Sequence, residues 1–156
     1  MNENLHLDGS GYELIVGWEG KRNHSYLDSV RIPTIGIGFV RYTLGVRAGH
    51  KVCMGDTMTD EEIKAEFLNQ IKSYENGVKE VVKVPLTQSQ FNACVSLCYN
   101  IGVAAFAKST VVRRLNERKY KAACDAFAMW NKAGGRVIPG LANRRSSEQK
   151  EFFRNG

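Results

Sequence analysis

The chain is constrained most by a change of hydrophobic period at Glu19-Gly20. An amphipathic run ends there, and short β-branched runs punctuated by glycine and proline follow. A 3.6-residue period and a two-residue period cannot share one element, so the two stretches must fold differently. Leu14, Ile15 and Trp18 fall at helical spacing within residues 9–19, with Ser10 read as the N-cap and Gly20 as the C-terminal stop. Residues 21–55 read as a small antiparallel sheet. Within them residues 32–40 read as one strand, with Pro33 at its start, where proline is tolerated. Gly36 and Gly38 then share one face of that strand, which lets another backbone or a ligand approach closely. The pair lacks a third glycine and a following helix, so it is not a nucleotide-binding loop.

Beyond residue 58 the pattern is helical to the end of the chain. Thr59-Asp-Glu-Glu has the form of a capping box, with Thr59 as N-cap and Glu62 at N3, and opens a helix over about 60–82. Ile63, Phe67, Ile71, Tyr74 and Val78 keep its apolar stripe, and Gly77 weakens it by up to ~1 kcal/mol relative to alanine. Pro85 ends it. Thr87 and Gln90 repeat the box before a helix that carries Phe91, Ala93, Cys94, Val95, Leu97, Cys98 and Ile101 nearly all round, the pattern of the buried centre of a bundle. Gly102 stops that helix. Ser109 caps a helix over 110–116, a further helix covers 120–130, 133–136 is a loop, and a last helix covers 141–153. The expected fold class is α+β, mostly helical, with a small N-terminal antiparallel sheet. Neither repeats nor a linker interrupt it.

Composition narrows the partners. A net charge of +6 calls for a polyanion: nucleic acid, an anionic membrane face or an acidic wall polymer. Nucleic acid is disfavoured, because no basic helix is interleaved with stacking aromatics and no zinc pattern is present. The first ten residues carry two acids and no apolar core, unlike a signal peptide, and no run reaches the ~18 apolar residues of a membrane span. The expected location is therefore the cytoplasm. Cys53, Cys94, Cys98 and Cys124 form no CxxC pair. Cys94 and Cys98 lie four apart without a second ligand pair, so reduced thiols buried in a helical core are expected and no metal.

Three groups near the period change carry usable chemistry. Glu19 stands in the last turn of the first helix, where the helix dipole disfavours a negative charge. Asp28 follows nine residues later in a loop, and Thr34 a further six later at the start of a strand. Hydrolysis of a glycosidic bond needs one group to protonate the leaving oxygen and another to handle water or the oxocarbenium-like charge, which two carboxyls across a cleft supply. Thr34 could orient a water towards Asp28. Taken singly, each also reads as structure: a solvated helix-end glutamate, a turn aspartate, an ordinary strand threonine. Spacing alone does not choose.

The wording around these residues is more specific. Glu19-Gly20, Tyr26-Leu27-Asp28 and Thr34-Ile35-Gly36-Ile37-Gly38 resemble the catalytic signature of the phage-type lysozymes, glycoside hydrolase family 24. Thr59-Asp-Glu-Glu resembles the start of that family's inter-lobe helix. Leu86-Thr-Gln-Ser-Gln-Phe-Asn-Ala through Tyr99-Asn-Ile-Gly resembles its central buried helix. Trp130, Ala133-Gly-Gly and Gly140-Leu-Ala-Asn-Arg-Arg-Ser-Ser-Glu resemble its C-terminal signature. The resemblance implies a single lysozyme-like domain over 1–156. Its β-containing lobe would cover about 20–58, its inter-lobe helix about 60–82, and its helical lobe about 86–156 together with helix 9–19.

As to chemistry, the resemblance implies an endolysin muramidase cutting the β-1,4 link between N-acetylmuramic acid and N-acetylglucosamine of peptidoglycan, with inversion. Glu19 would be the general acid, and Asp28 with Thr34 would position the water. Val40, Tyr99 and Asn100 match sugar-contacting positions, and Arg144 matches a supporting arginine paired with Glu19. No cofactor is implied. The protein would act as a monomer without stable membrane insertion, released from the host cytoplasm to the wall. The rival reading is a non-enzymatic cationic binder of wall or membrane. One departure stands out: the family's strand usually continues from the second glycine into a histidine, and this chain has Phe39.

Overall fold

The computed structural model describes residues 1–154, which form two compact units: residues 1–14 with 73–154, and Ile15–Lys72. Two helices run from one unit into the other, α1 (Gly9–Glu19) and α2 (Asp60–Val81). The class is α+β, mostly helical with two small antiparallel strand pairs.

In the unit Ile15–Lys72, α1 ends at Gly20, whose amide donates to the Val16 carbonyl at 2.8 Å and whose φ of 79° is one that glycine adopts without strain. Strand β1 (Arg22–Leu27) then pairs antiparallel with β2 (Pro33–Gly36), Tyr26 opposite Thr34 and Leu27 opposite Pro33. The strand expected over 32–40 is thus shorter. At Gly36 and Gly38 φ is positive, 67° and 78°, and the chain turns back so that Phe39 and Ile35 exchange backbone hydrogen bonds of 2.8 and 2.9 Å. The two glycines are turn residues, not two gaps on one face of a continuing strand. A Cβ on Gly36 would lie 2.4 Å from the Phe39 ring, so that ring occupies the room the glycine leaves. Phe39 is buried, as are Ile15, Ile35, Ile37, Ile63, Phe67 and Ile71 of the same unit.

The start of α2 is capped as expected: Glu62 and Thr59 exchange side-chain-to-amide bonds of 2.8 and 3.1 Å. One turn further on, buried Glu66 accepts from the amides of Thr43 and Leu44, from the Thr43 hydroxyl and from Gln70. Burial pushes its pKa up, but those donors win and hold the carboxyl below its ordinary value.

The other unit is built on α3 (Gln88–Ile101). Its capping box, Thr87 with Gln90, forms as read, and ten consecutive residues, Ser89 to Cys98, are buried. Gly102 (φ 94°) ends it. Short helices α4 (Val103–Ala107), α5 (Thr110–Asn116) and α6 (Tyr120–Ala126) follow, with Ser109 capping α5 as expected. The helix expected over 120–130 is shorter, its last turn tightening to a 3-10 turn at Phe127–Met129. The expected loop at 133–136 is a small hairpin, β3 (Lys132–Ala133) with β4 (Arg136–Val137), turned by Gly134 and Gly135. Helix α7 (Pro139–Phe152) starts two residues earlier than read because Pro139 fits its first turn, and it packs on α3.

Ser10 is not the N-cap of α1. Asp8 is: its carboxylate accepts from the Gly11 amide at 3.1 Å, while the Ser10 hydroxyl donates to Glu151. Burial pushes the Cys124 thiol up to about 11 and that of Cys98 to about 12, which keeps both protonated. Cys94 is buried with them, whereas Cys53, expected among them, is exposed.

At the α3–α7 contact the fully buried Glu148 carboxylate lies 2.7 Å from Arg145 Nε and 3.2 Å from Arg144 Nε and accepts from the Ser96 hydroxyl. Both arginines, which could have been solvated charges at a helix start, are buried. Burial pushes the Glu148 pKa up against the pull of Arg145 and Arg144. Removing the negative member leaves two guanidiniums without their counter-charge inside the protein. Glu148→Gln is expected to destabilise the fold by about 3–5 kcal/mol, read as a fall in the urea midpoint with an unchanged m-value.

Candidate active site

Glu19, Asp28, Thr34 and Val40 all belong to the unit Ile15–Lys72, whereas Tyr99, Asn100 and Arg144 belong to the other. Glu19 is half-buried in the last turn of α1. Its Oε1 stands 3.3 Å from the point where a Cβ on Gly38 would lie. The second glycine of the turn therefore leaves room for the carboxylate, which joins the helix end to the β2 turn as one local structure. Sequence reading assigned these glycines a close approach without naming what approaches.

Asp28 follows β1 directly and is held by its own loop. Its Oδ1 accepts from the amides of Val30 (2.9 Å) and Ile32 (2.8 Å), its amide donates to the Ile32 carbonyl (3.0 Å), and its carbonyl accepts from the Arg31 amide (2.9 Å). Asp28 Oδ2 takes no hydrogen bond from the described residues. Thr34 is buried, and its hydroxyl donates to the same Ile32 carbonyl at 2.8 Å. Asp28 and Thr34 are thus tied to one another through a single residue, Ile32. With its proton committed, the Thr34 oxygen can only accept from a further partner. The sequence carries no signal for this role of Ile32, because it is played by backbone atoms.

Val40 is exposed and lines a concavity of about 360 Å³ together with Arg31, Ile32, Pro33, Arg41, Lys51 and Val52. Arg31 takes φ of 64°, a left-handed conformation that a non-glycine residue adopts at a cost of ~1–2 kcal/mol. In the other unit, Tyr99 packs edge-on against Tyr74 with ring centroids 4.8 Å apart, and Asn100 is exposed at the end of α3. Arg144 donates to Glu148 and to the carbonyl and hydroxyl of Ser96.

The tight contact at Gly38 makes a direct prediction. A methyl group there meets the Glu19 carboxylate on a backbone of positive φ. Gly38→Ala is expected to unfold ~1 kcal/mol more easily and to lower kcat/KM on a glycan substrate by about tenfold or more as the carboxyl is displaced. Parallel denaturation and rate measurements on the purified variant check both.

Comparison with known proteins identifies the family. The family model described as phage lysozyme matches residues 16–148, a span that includes Glu19, Asp28 and Thr34. The chain is 40% identical over 130 residues to an endolysin of Salmonella phage P22, covering 83% of this chain and 86% of that protein. Among solved structures, an endolysin from Escherichia coli O157:H7 phage FAHEc1 superposes with a TM-score of 0.89 at 32% identity, over 98% of this chain and 96% of that one. A crystal structure of a P22 lysozyme mutant superposes with a TM-score of 0.84 at 38% identity, over 96% and 99% of the two chains. By family model, sequence and fold alike, this chain belongs to the phage lysozymes and is a glycoside hydrolase.

Proposed function

We propose that this enzyme, a peptidoglycan-hydrolysing muramidase, cuts the β-1,4 bond between N-acetylmuramic acid and N-acetylglucosamine with Glu19 as general acid and a water held by Asp28 and Thr34. The supporting observation is the hydrogen-bond state of the Asp28 loop. Thr34 has spent its proton on the Ile32 carbonyl, and Asp28 has spent one oxygen on two amides, so each retains acceptor capacity for a further donor. A water donating one hydrogen to each turns a lone pair away from both, towards a sugar placed opposite.

As the glycosidic bond breaks, Glu19 gives its proton to the departing oxygen of N-acetylglucosamine. The water oxygen bonds to the anomeric carbon of muramic acid, and its proton passes to Asp28. Charge balances: Glu19 ends ionised and Asp28 protonated, and exchange with solvent resets both. We place Arg144 as the cation that fixes the Glu19 rotamer, and Tyr99, Asn100 and Val40 as sugar contacts. The reading extends to a monomer that reaches the wall from the host cytoplasm without stable membrane insertion, and no described helix is long and apolar enough to cross a membrane.

Glu19→Gln keeps the shape of the side chain and removes its proton donor. It is expected to lower the release of reducing muramic acid ends by ~10²–10⁴-fold while leaving the unfolding midpoint near that of the parent. A folded Glu19→Gln protein that clears walls at the parental rate would remove Glu19 from the mechanism. Undiminished killing without new reducing ends would favour the non-enzymatic cationic reading.

A further inference from the structure

The concavity beside the Asp28 loop is lined by three cations, Arg31, Arg41 and Lys51, and by no acid. Arg41 and Lys51 face each other across an antiparallel bridge, so two cations ten and twenty residues from Arg31 converge on one wall. Arg41 donates through Nη1 to the Gly49 carbonyl, whereas the side chains of Arg31 and Lys51 make no hydrogen bond or ion pair among the described residues. The remaining wall is apolar: Ile32 and Val40 are exposed, and Val52 is buried beneath them. A volume of about 360 Å³ falls in the ~300–1,000 Å³ range of small-ligand sites.

Arg31 is the informative member. It occupies a left-handed backbone position, φ 64°, where glycine or asparagine would relieve strain, and its amide closes the turn onto the Asp28 carbonyl. Arg31 thus presents a solvent-facing guanidinium with no ion pair among the described residues, three residues from the carboxylate proposed to handle water.

Resting on the proposed function, we infer that this pocket is a subsite for the carboxylate-bearing stem peptide of peptidoglycan, and that Arg31, Arg41 and Lys51 determine preference for stem-bearing over bare glycan. The stem begins at the lactyl group on the muramic acid ring, the ring whose anomeric carbon the Asp28 water attacks, so it leaves the sugar within a few bonds of the Asp28 loop. Its free carboxylates match three cations, and its alanyl methyls match Ile32, Val40 and Val52. Arginine offers paired donors to a carboxylate, and lysine a point charge beside it.

The test compares kcat/KM on three substrates: glycan strands with intact stems, the same strands with stem carboxylates amidated, and strands from which an amidase has removed the stems. The parent is expected to prefer intact stems at least tenfold over the other two. Arg31→Gly, which removes the cation and relieves the strained backbone, and Lys51→Gln should each lower that preference by about fivefold to tenfold, mainly through KM, with Arg31→Gly unfolding no more easily than the parent. A larger loss of charge elsewhere, Arg113→Gln with Lys119→Gln on the exposed face of α5 and the turn after it, should leave the preference unchanged. A parent that cuts all three substrates equally well, or Arg31→Gly and Lys51→Gln variants that slow all three by one factor, would overturn the stem subsite and leave the muramidase reading intact. A parent that releases reducing ends from none of them would overturn both.

Discussion

The backbone N–H and C=O of Ile32 hold the loop end of the β1–β2 hairpin together. The N–H fixes the Asp28 carboxylate, and the C=O accepts from the Asp28 amide and from the Thr34 hydroxyl. Asp28 lies in the five-residue loop between β1 and β2, and its carboxylate is held by two amides of that same loop. The proposed water site thus depends on backbone geometry, which the flanking strand pairs Leu27–Pro33 and Tyr26–Thr34 set in register.

The other side of the proposed chemistry depends on the glycine turn. Gly36 yields its place to the Phe39 ring and Gly38 to the Glu19 carboxylate, so one turn both closes the core of its unit and makes room for an acid. A side chain at either glycine is strained by the positive φ, and it meets the core ring of Phe39 at Gly36 and the Glu19 carboxylate at Gly38. The second unit handles charge differently. There Glu148 joins two arginines of its own helix, α7, in full burial, and Ser96 of α3 ties the two helices together by donating to Glu148 and accepting from Arg144. Arg144 sits in this cluster, so its guanidinium is oriented by Glu148 and Ser96 whatever else it meets.

How much of this could be read in advance follows the physics of each feature. Caps were legible because they are local: Thr59 with Glu62 and Thr87 with Gln90 form as spaced. The all-round apolar helix was legible because burial on every face leaves no other pattern. Residues 32–40 looked like one strand because β-branched alternation does not show the sign of φ, which alone decides whether Gly36 and Gly38 extend or turn. Asp8 displaced Ser10 as N-cap because both fit the local rule, and the tertiary bond from Ser10 to Glu151 decided between them. Glu19, Asp28 and Thr34 stood out through family wording; the Ile32 peptide had no side chain to announce it, and the convergence of Arg31, Arg41 and Lys51 needed a bridge that only the folded loop supplies.

The central claim is that Asp28 and Thr34, joined through Ile32, hold the water that attacks the sugar directly. Direct attack from the face opposite the leaving group inverts the anomeric carbon, whereas attack by Asp28 itself, followed by hydrolysis, retains it. Proton NMR of a soluble murein oligosaccharide, recorded faster than the product mutarotates, separates these outcomes. The account predicts that the α-anomer of the new reducing muramic acid appears first. First appearance of the β-anomer would contradict it.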